Sequence, residues 1–167
     1  MLDAFAQVKR EVPDAWLVIA GYPNPEMDPA LLRARAAALG ISDATLFHLQ
    51  YIPNDEVAAW FTRADVVVLP YLMVYQSGAL QVAHSFGKAV VASAVGGLPD
   101  VIRHGETGLL VPPRDAKALA EALITVPRDP ALARRLGQQA QEASETLYSW
   151  DRVAGQMRAA YTEPAAR

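Results

Sequence analysis

Three groups of residues have the types and spacing that could do chemistry. Gln76-Ser77-Gly78 stands immediately before an apolar helical stretch, Ala79 to Phe86. The first N–H groups of a helix lack intrahelical acceptors, and small residues let an anion approach them where the dipole favours negative charge. The same three residues also read as an ordinary Ser N-cap with a Gly for packing, and alone they do not choose between the two. Gly96-Gly97, followed by Pro99-Asp100, could form a nest of backbone amides or a plain tight turn between strand and helix. The histidines form the third group. His48 falls in a strand pattern, His84 inside the helix after Gly78, and His104 in the turn Arg103 to Gly108. Packing or solvation is the simplest reading of each, and His84 is the one candidate for acid–base work in a cleft.

Other chemistries find no support in the pattern. The chain has no cysteine, so it has no disulfide framework, no thiolate metal site and no cysteine nucleophile. Its three histidines are far apart and its carboxylates do not fall at ligand intervals, so no metal site is expected. Neither a Gly-x-Ser-x-Gly elbow, a P-loop nor a Gly-x-Gly-x-x-Gly turn is present.

The elements that must position these residues alternate between strand and helix. Apolar runs at Trp16–Ala20, Thr45–Leu49, Asp65–Pro70, Ala89–Ser93 and Gly108–Val111 read as short strands. Trp16–Ala20 and Asp65–Pro70 are continuous enough to be buried on both faces. Helical patterns separate them: Leu2, Phe5 and Ala6 before Pro13; Leu32, Ala36 and Leu39 before Gly40; and Val57, Trp60, Phe61 and Ala64 at i, i+3, i+4, i+7 behind an Asn54 cap. Asp115, Asp129-Pro130 and Ser149 open three more helices. Five strands separated by helices imply an α/β domain with a doubly wound, Rossmann-like parallel sheet over residues 1–163, followed by a frayed tail, 164–167. In such a sheet ligands bind beyond the carboxyl ends of the strands. The loops there are Gly21 to Pro25, Gln50 to Pro53, Tyr71 to Gly78 and Ala94 to Asp100, which hold two of the three groups named above.

Composition bounds the partners. The 167 residues are 52% hydrophobic and 20% charged, with a net charge of −3 and no basic cluster longer than a pair, which argues against a nucleic-acid partner. No apolar run approaches the ~20 residues of a membrane span, and Met1 leads into an amphipathic stretch rather than a signal-peptide pattern. A soluble, cytoplasmic protein is expected.

The order of segments resembles a known family. Pro13 to Gly21, Tyr51 to Val57, Ala64 to Pro70, Gln76-Ser77-Gly78, Phe86 to Ser93, Val95 to Asp100, His104 to Pro112 and the helix start at Tyr148-Ser149-Trp150 together resemble the C-terminal, donor-binding domain of family 4 retaining glycosyltransferases, the glycosyl transferases group 1. The resemblance implies half of a GT-B fold and a hexosyltransferase-like enzyme, of the kind used in polysaccharide biosynthesis. Such an enzyme transfers sugar with retention from a nucleoside-diphosphate sugar, without metal or other cofactor. It also implies that an N-terminal acceptor domain and the first strand of the sheet precede this chain, and that the parent could touch a membrane peripherally. Donor contacts carried over by position are Gly21, Gln50, Tyr51, Ile52, Gln76, Ser77, Gly78, Gly96 and Gly97. The Gln50 to Pro53 loop falls near the base, and the amides around Ser77 and Gly78 fall near the diphosphate. Two glutamates that family members place in this region correspond to Val74 and Val82 here, so no catalytic residue is assigned. A sugar-nucleotide epimerase of the same fold and a non-catalytic nucleotide-binding module are the alternatives.

The first strand of a doubly wound sheet lies between the second and the fourth. Without it, the gap must close by direct pairing of Trp16–Ala20 with Val66–Leu69 or be filled by a segment from elsewhere or from a second molecule, because unpaired buried backbone groups cost roughly 1–3 kcal/mol each. Direct pairing is the expectation, since both runs are apolar and lack Pro before Pro70.

Overall fold

A computed structural model describes residues 1–23, 27–147 and 149–162. Eight helices and five strands follow one another as α1 (Leu2–Glu11), β1 (Leu17–Ala20), α2 (Pro29–Ala38), β2 (Thr45–His48), α3 (Asn54–Arg63), β3 (Val66–Leu69), α4 (Gly78–Ser85), β4 (Ala89–Ser93), α5 (Leu98–Val101), β5 (Leu109–Val111), α6 (Ala116–Arg128), α7 (Pro130–Leu147) and α8 (Trp150–Thr162). Every strand pair is parallel, as βαβ connections require. The tail 164–167, the Asn24-Pro25 part of the first loop and Tyr148 lie outside the described residues.

Caps explain where several helices start. Asp28 Oδ1 accepts from the Ala30 N–H at 2.8 Å, Asp115 Oδ1 from Ala118 at 2.9 Å, and Asp129 Oδ1 from both Ala131 and Leu132. Asn54 does not cap α3 as expected. It is the first helical residue, and the preceding Pro53 holds the cap position without a side-chain bond. Gly40 ends α2 in the left-handed region, with φ of 67°.

The strands form two sheets instead of one, in the orders β2-β1 and β3-β4-β5. No ladder joins β1 to β3 among the described residues, so the expected direct closure does not occur. Helices join the two sheets instead. On one face, α1 packs Leu2, Phe5 and Val8 in a single cluster with Leu17 and Ile19 of β1 and with Val66 and Val68 of β3. On the opposite face, Trp60 of α3 rests on His48 of β2 with ring centroids 4.7 Å apart, while its neighbour Phe61 packs with Val67 and Leu69 of β3. Both helices thus bridge from one sheet to the other. Contact between the two sheets therefore runs through the side chains of α1 and α3, with no backbone ladder among the described residues.

Burial follows the same division. All five residues of β4 are buried, between α4 on one side and α6 and α7 on the other. By contrast β1 is not buried on both faces as expected: Val18 is 45% exposed and Trp16, just outside the strand, 68%.

Candidate functional site

The two sheets diverge from the space between β1 and β3, since β1 continues to β2 and β3 to β4. This is the topological switch point, and the loops leaving the carboxyl ends of β1 and β3 border it. On the β3 side the loop runs from Tyr71 to Ser77 and ends in α4. Ser77 is extended (φ −130°, ψ 110°), and its Oγ accepts the Leu80 N–H at 3.2 Å, so the N-cap reading of Ser77 holds. The Tyr71 hydroxyl shares a hydrogen bond with the same Oγ at 3.3 Å and fixes its position from below. Gly78 and Ala79, the first two helical residues, are exposed, and nothing lies within 4 Å of where a Gly78 side chain would begin. Their N–H groups have no intrahelical acceptor by the geometry of a helix start, and they face open space with the helix dipole behind them. The arrangement can hold an anion. A cap and an anion site are therefore compatible here, since the Ser77 side chain takes only one of the free donors.

Gly96 and Gly97 are explained by the packing of one loop on another. A Cβ on Gly96 would stand 1.6 Å from the Val74 carbonyl oxygen, and one on Gly97 would stand 2.6 Å from that of Tyr75. Gly96 also has φ of 54°, a region that disfavours other residues. The two glycines let the loop after β4 press against the backbone of the loop after β3 and so support the approach to Ser77. Spacing alone could not separate this role from that of an amide nest.

On the other side of the switch point, Gly21 has φ of 124° and donates its N–H to the His48 carbonyl at 3.1 Å, which extends the β1–β2 ladder by one bond. Gln50 follows β2 and donates from Nε2 to His48 Nε2 at 3.2 Å, next to exposed Tyr51 and half-buried Ile52. Tyr22, Tyr51, Leu72, Met73 and Tyr75 are each at least 61% exposed, so the loops at the strand ends carry an apolar rim. Sequence reasoning missed this rim as a feature. Its signal was the density of large apolar residues in loops that are otherwise expected to be polar.

The histidines divide as their surroundings dictate. His84 is 1% exposed on α4, neither ring nitrogen has a hydrogen-bond partner among the described residues, and burial pushes its pKa down to about 4. It is a neutral core residue at pH 7, and its burial leaves it no access to a cleft. His104 is exposed in its turn and accepts the Leu110 N–H on Nδ1 at 3.1 Å. One surface depression of about 420 Å³ lies between α1 and α6, lined by Arg10, Glu11 and Arg128 among others, away from the strand ends. Its Arg128 is tied to Glu11 at 3.0 Å.

With this geometry in view, the relatives of the chain can be placed. The family model for glycosyl transferases group 1 matches residues 1–143. The chain belongs to that family. It is 36% identical over 136 residues to a D-inositol 3-phosphate glycosyltransferase of Streptomyces bingchenggensis (strain BCW-1), covering 81% of this chain and 29% of that protein. It is 34% identical over 151 residues to the enzyme of the same name from Corynebacterium glutamicum (strain R), covering 90% of this chain and 36% of that one. The chain thus spans about a third of these relatives. Among solved structures, sucrose-phosphate synthase of Thermosynechococcus elongatus superimposes with a TM-score of 0.83 at 30% identity, over 96% of this chain and 41% of that one. Anabaena HepE in complex with UDP superimposes with a TM-score of 0.86 over 96% of this chain and 43% of that one, and at 21% identity this likeness shows the fold alone. The fold is one α/β half of the GT-B architecture.

Proposed function

We propose that this chain is the donor-binding half of a glycosyltransferase that takes its sugar from a nucleoside-diphosphate sugar and transfers it with retention to an acceptor held by a second domain. The observation that carries the reading is the open start of α4, with Gly78 and Ala79 exposed behind the Ser77 cap at the switch point. A diphosphate satisfies the free N–H groups there and meets the positive end of the helix dipole. Stabilising negative charge as it develops on the leaving diphosphate is the catalytic contribution such a site makes. Gln50, Tyr51 and Ile52, across the switch point beyond β2, lie on the side where the base would rest, and Gly21 closes the turn beside them. The exposed apolar rim supports a second body facing these loops. Relatives of which this chain spans about a third leave room for one.

The sugar and ribose contacts are where this chain departs from the pattern. Val82, on α4, and Val74, before it, offer no carboxylate to a hydroxyl group. A charge-assisted hydrogen bond contributes about 1.5–3 kcal/mol, or one to two decades of affinity, so we expect the 167-residue chain to bind UDP or GDP weakly and to turn over no sugar by itself. Titrating either nucleotide while following backbone amide shifts tests the site. Changes centred on Ser77 to Leu80 and reaching Gly21 and Gln50 are expected, and Gly78→Asp, which sets a carboxylate at the anion position, should abolish them. Changes confined to α6 and α7, or submicromolar binding by calorimetry, would overturn the assignment.

A further inference from the structure

The loops that border the switch point bring no cation to a ligand. Gly21 to Pro25, Gln50 to Pro53, Tyr71 to Gly78 and Ala94 to Asp100 contain no lysine and no arginine. An anion at the start of α4 is therefore held, within these loops, by neutral donors, and its binding depends on where each of them points its proton.

Ser77 and Tyr71 make one such donor dependent on another. A serine hydroxyl has one proton to give and two positions at which to accept. The Leu80 N–H takes one accepting position of Ser77 Oγ at 3.2 Å. The Tyr71 hydroxyl lies 3.3 Å from the same Oγ, and either oxygen can be the donor in that contact. The choice decides what Ser77 can do. If Ser77 donates, its proton is taken up by Tyr71, and an anion before the helix meets only lone pairs on Oγ. If Tyr71 donates, both accepting positions are filled, and the Ser77 proton is left to the one direction that neither partner occupies. An anion selects the second arrangement, because a hydroxyl gains more from a charged oxygen than from a phenol.

Tyr71 is held where it can act in this way. Its half-buried ring packs on the cluster that includes Leu69, Leu80 and Leu98. The loop between the two hydroxyls is fixed independently, since the close approach of Gly96 and Gly97 pins the backbone of Val74 and Tyr75. With ring and loop each secured by other contacts, the phenol oxygen is not needed as a brace.

We propose that Tyr71 is a positioning residue of the donor site: its hydroxyl donates to Ser77 Oγ and turns the Ser77 proton onto a phosphate oxygen. This rests on the donor-site reading above, and it makes Ser77 a third donor beside the N–H groups of Gly78 and Ala79. Tyr71, Ser77 and the phosphate then form a chain of hydrogen bonds running in one sense, in which each bond strengthens the next.

The test titrates inorganic pyrophosphate, UDP and uridine into the 167-residue chain, with backbone amide shifts giving affinity and amide exchange reporting the helix start. Tyr71→Phe keeps the ring and removes only the hydroxyl. It should bind pyrophosphate and UDP roughly three- to tenfold more weakly than the parent, with exchange at Leu80 unchanged. Uridine, which has no phosphate, should bind both equally. Ser77→Ala should lose more, and adding Tyr71→Phe to it should cost nothing further, because the effect of Tyr71 passes through the Ser77 hydroxyl. Ser77→Thr, which keeps a hydroxyl at the cap, should retain both the affinity and its sensitivity to Tyr71→Phe. Equal pyrophosphate affinity in the parent and Tyr71→Phe would overturn the proposal and leave the donor site standing. Faster Leu80 exchange in step with lost affinity would also overturn it, because the phenol would then only brace the helix start. Absence of any shift from Ser77 to Leu80 in the parent would remove the donor site, and this role of Tyr71 with it.

Discussion

Strands β1 and β4 are close in composition, Leu-Val-Ile-Ala against Ala-Val-Val-Ala-Ser, and they end in opposite conditions. Every residue of β4 is buried. It has a paired neighbour on each edge and helices on both faces. Among the described residues strand β1 has one paired neighbour, and it leaves Val18 and Ala20 exposed on the face away from α1. An apolar run states what a strand can bury, while its neighbours decide what it does bury. The comparison also divides the candidate site. Ser77 and Gly78 hang from the consolidated half, and Gly21 and Gln50 from the looser one.

The largest effect should come from breaking the consolidated half. A Cβ on Gly137 of α7 would stand 1.9 Å from the Gly87 carbonyl oxygen, in the turn that feeds β4. Gly137→Val must push α7 away from β4 and α4, and we expect a loss of about 3 kcal/mol or more, read as a lower urea midpoint. Gly155→Ala on α8 meets nothing within 4 Å and should gain about 0.5–1 kcal/mol from helix propensity. Equal losses in the two variants would remove the argument from close backbone approach.

His84 sharpens the comparison through pH. Its pKa is lowered from 6.5 to about 4 by burial, so the folded state favours the neutral ring. The stability that goes with this is fully present above pH 6.5 and is lost as the pH falls toward 4, by roughly 3 kcal/mol at most. Urea unfolding at pH 7.5 and pH 4.5 should show the loss. His84→Leu, which leaves no orphaned ring nitrogen, should shrink it. A variant with the same pH dependence as the parent would show that other groups carry it.

The smallest effect compares the strands directly. Val91→Ala removes two methyl groups from a fully buried site in β4 and should cost about 2 kcal/mol. Val18→Ala removes them from a site that is 45% exposed and should cost about 0.5 kcal/mol. Equal costs at the two positions would show that exposure does not separate the strands.

Much of this protein was legible in the residues. The five strands fall where short apolar runs meet turn residues, to within a residue at each end. Asp115, Asp129 and Ser77 could be read as caps because a short oxygen-bearing side chain before an apolar periodic stretch has a local partner, the N–H two or three residues on. The Pro53 start of α3 escaped because Asn54 offers the same local signal without making the bond. In the candidate site, Ser77 and Gly78 were legible for the same local reason. The purpose of Gly96 and Gly97 was not, because their constraint is the backbone of Val74 and Tyr75, twenty-two residues away in sequence.

The sequence by itself determined the alternation of strand and helix, the parallel class of the sheet, the family and the position of the Ser77-capped helix start, all of which rest on local pattern and segment order. Only the tertiary structure decided that the strands part into two sheets, that His84 is sealed and neutral, and that the two glycines join loop to loop. Those outcomes depend on which surfaces meet. The apolar run of β1 resembles that of β4, and nothing in either run records that one gains two paired neighbours and the other a single one among the described residues.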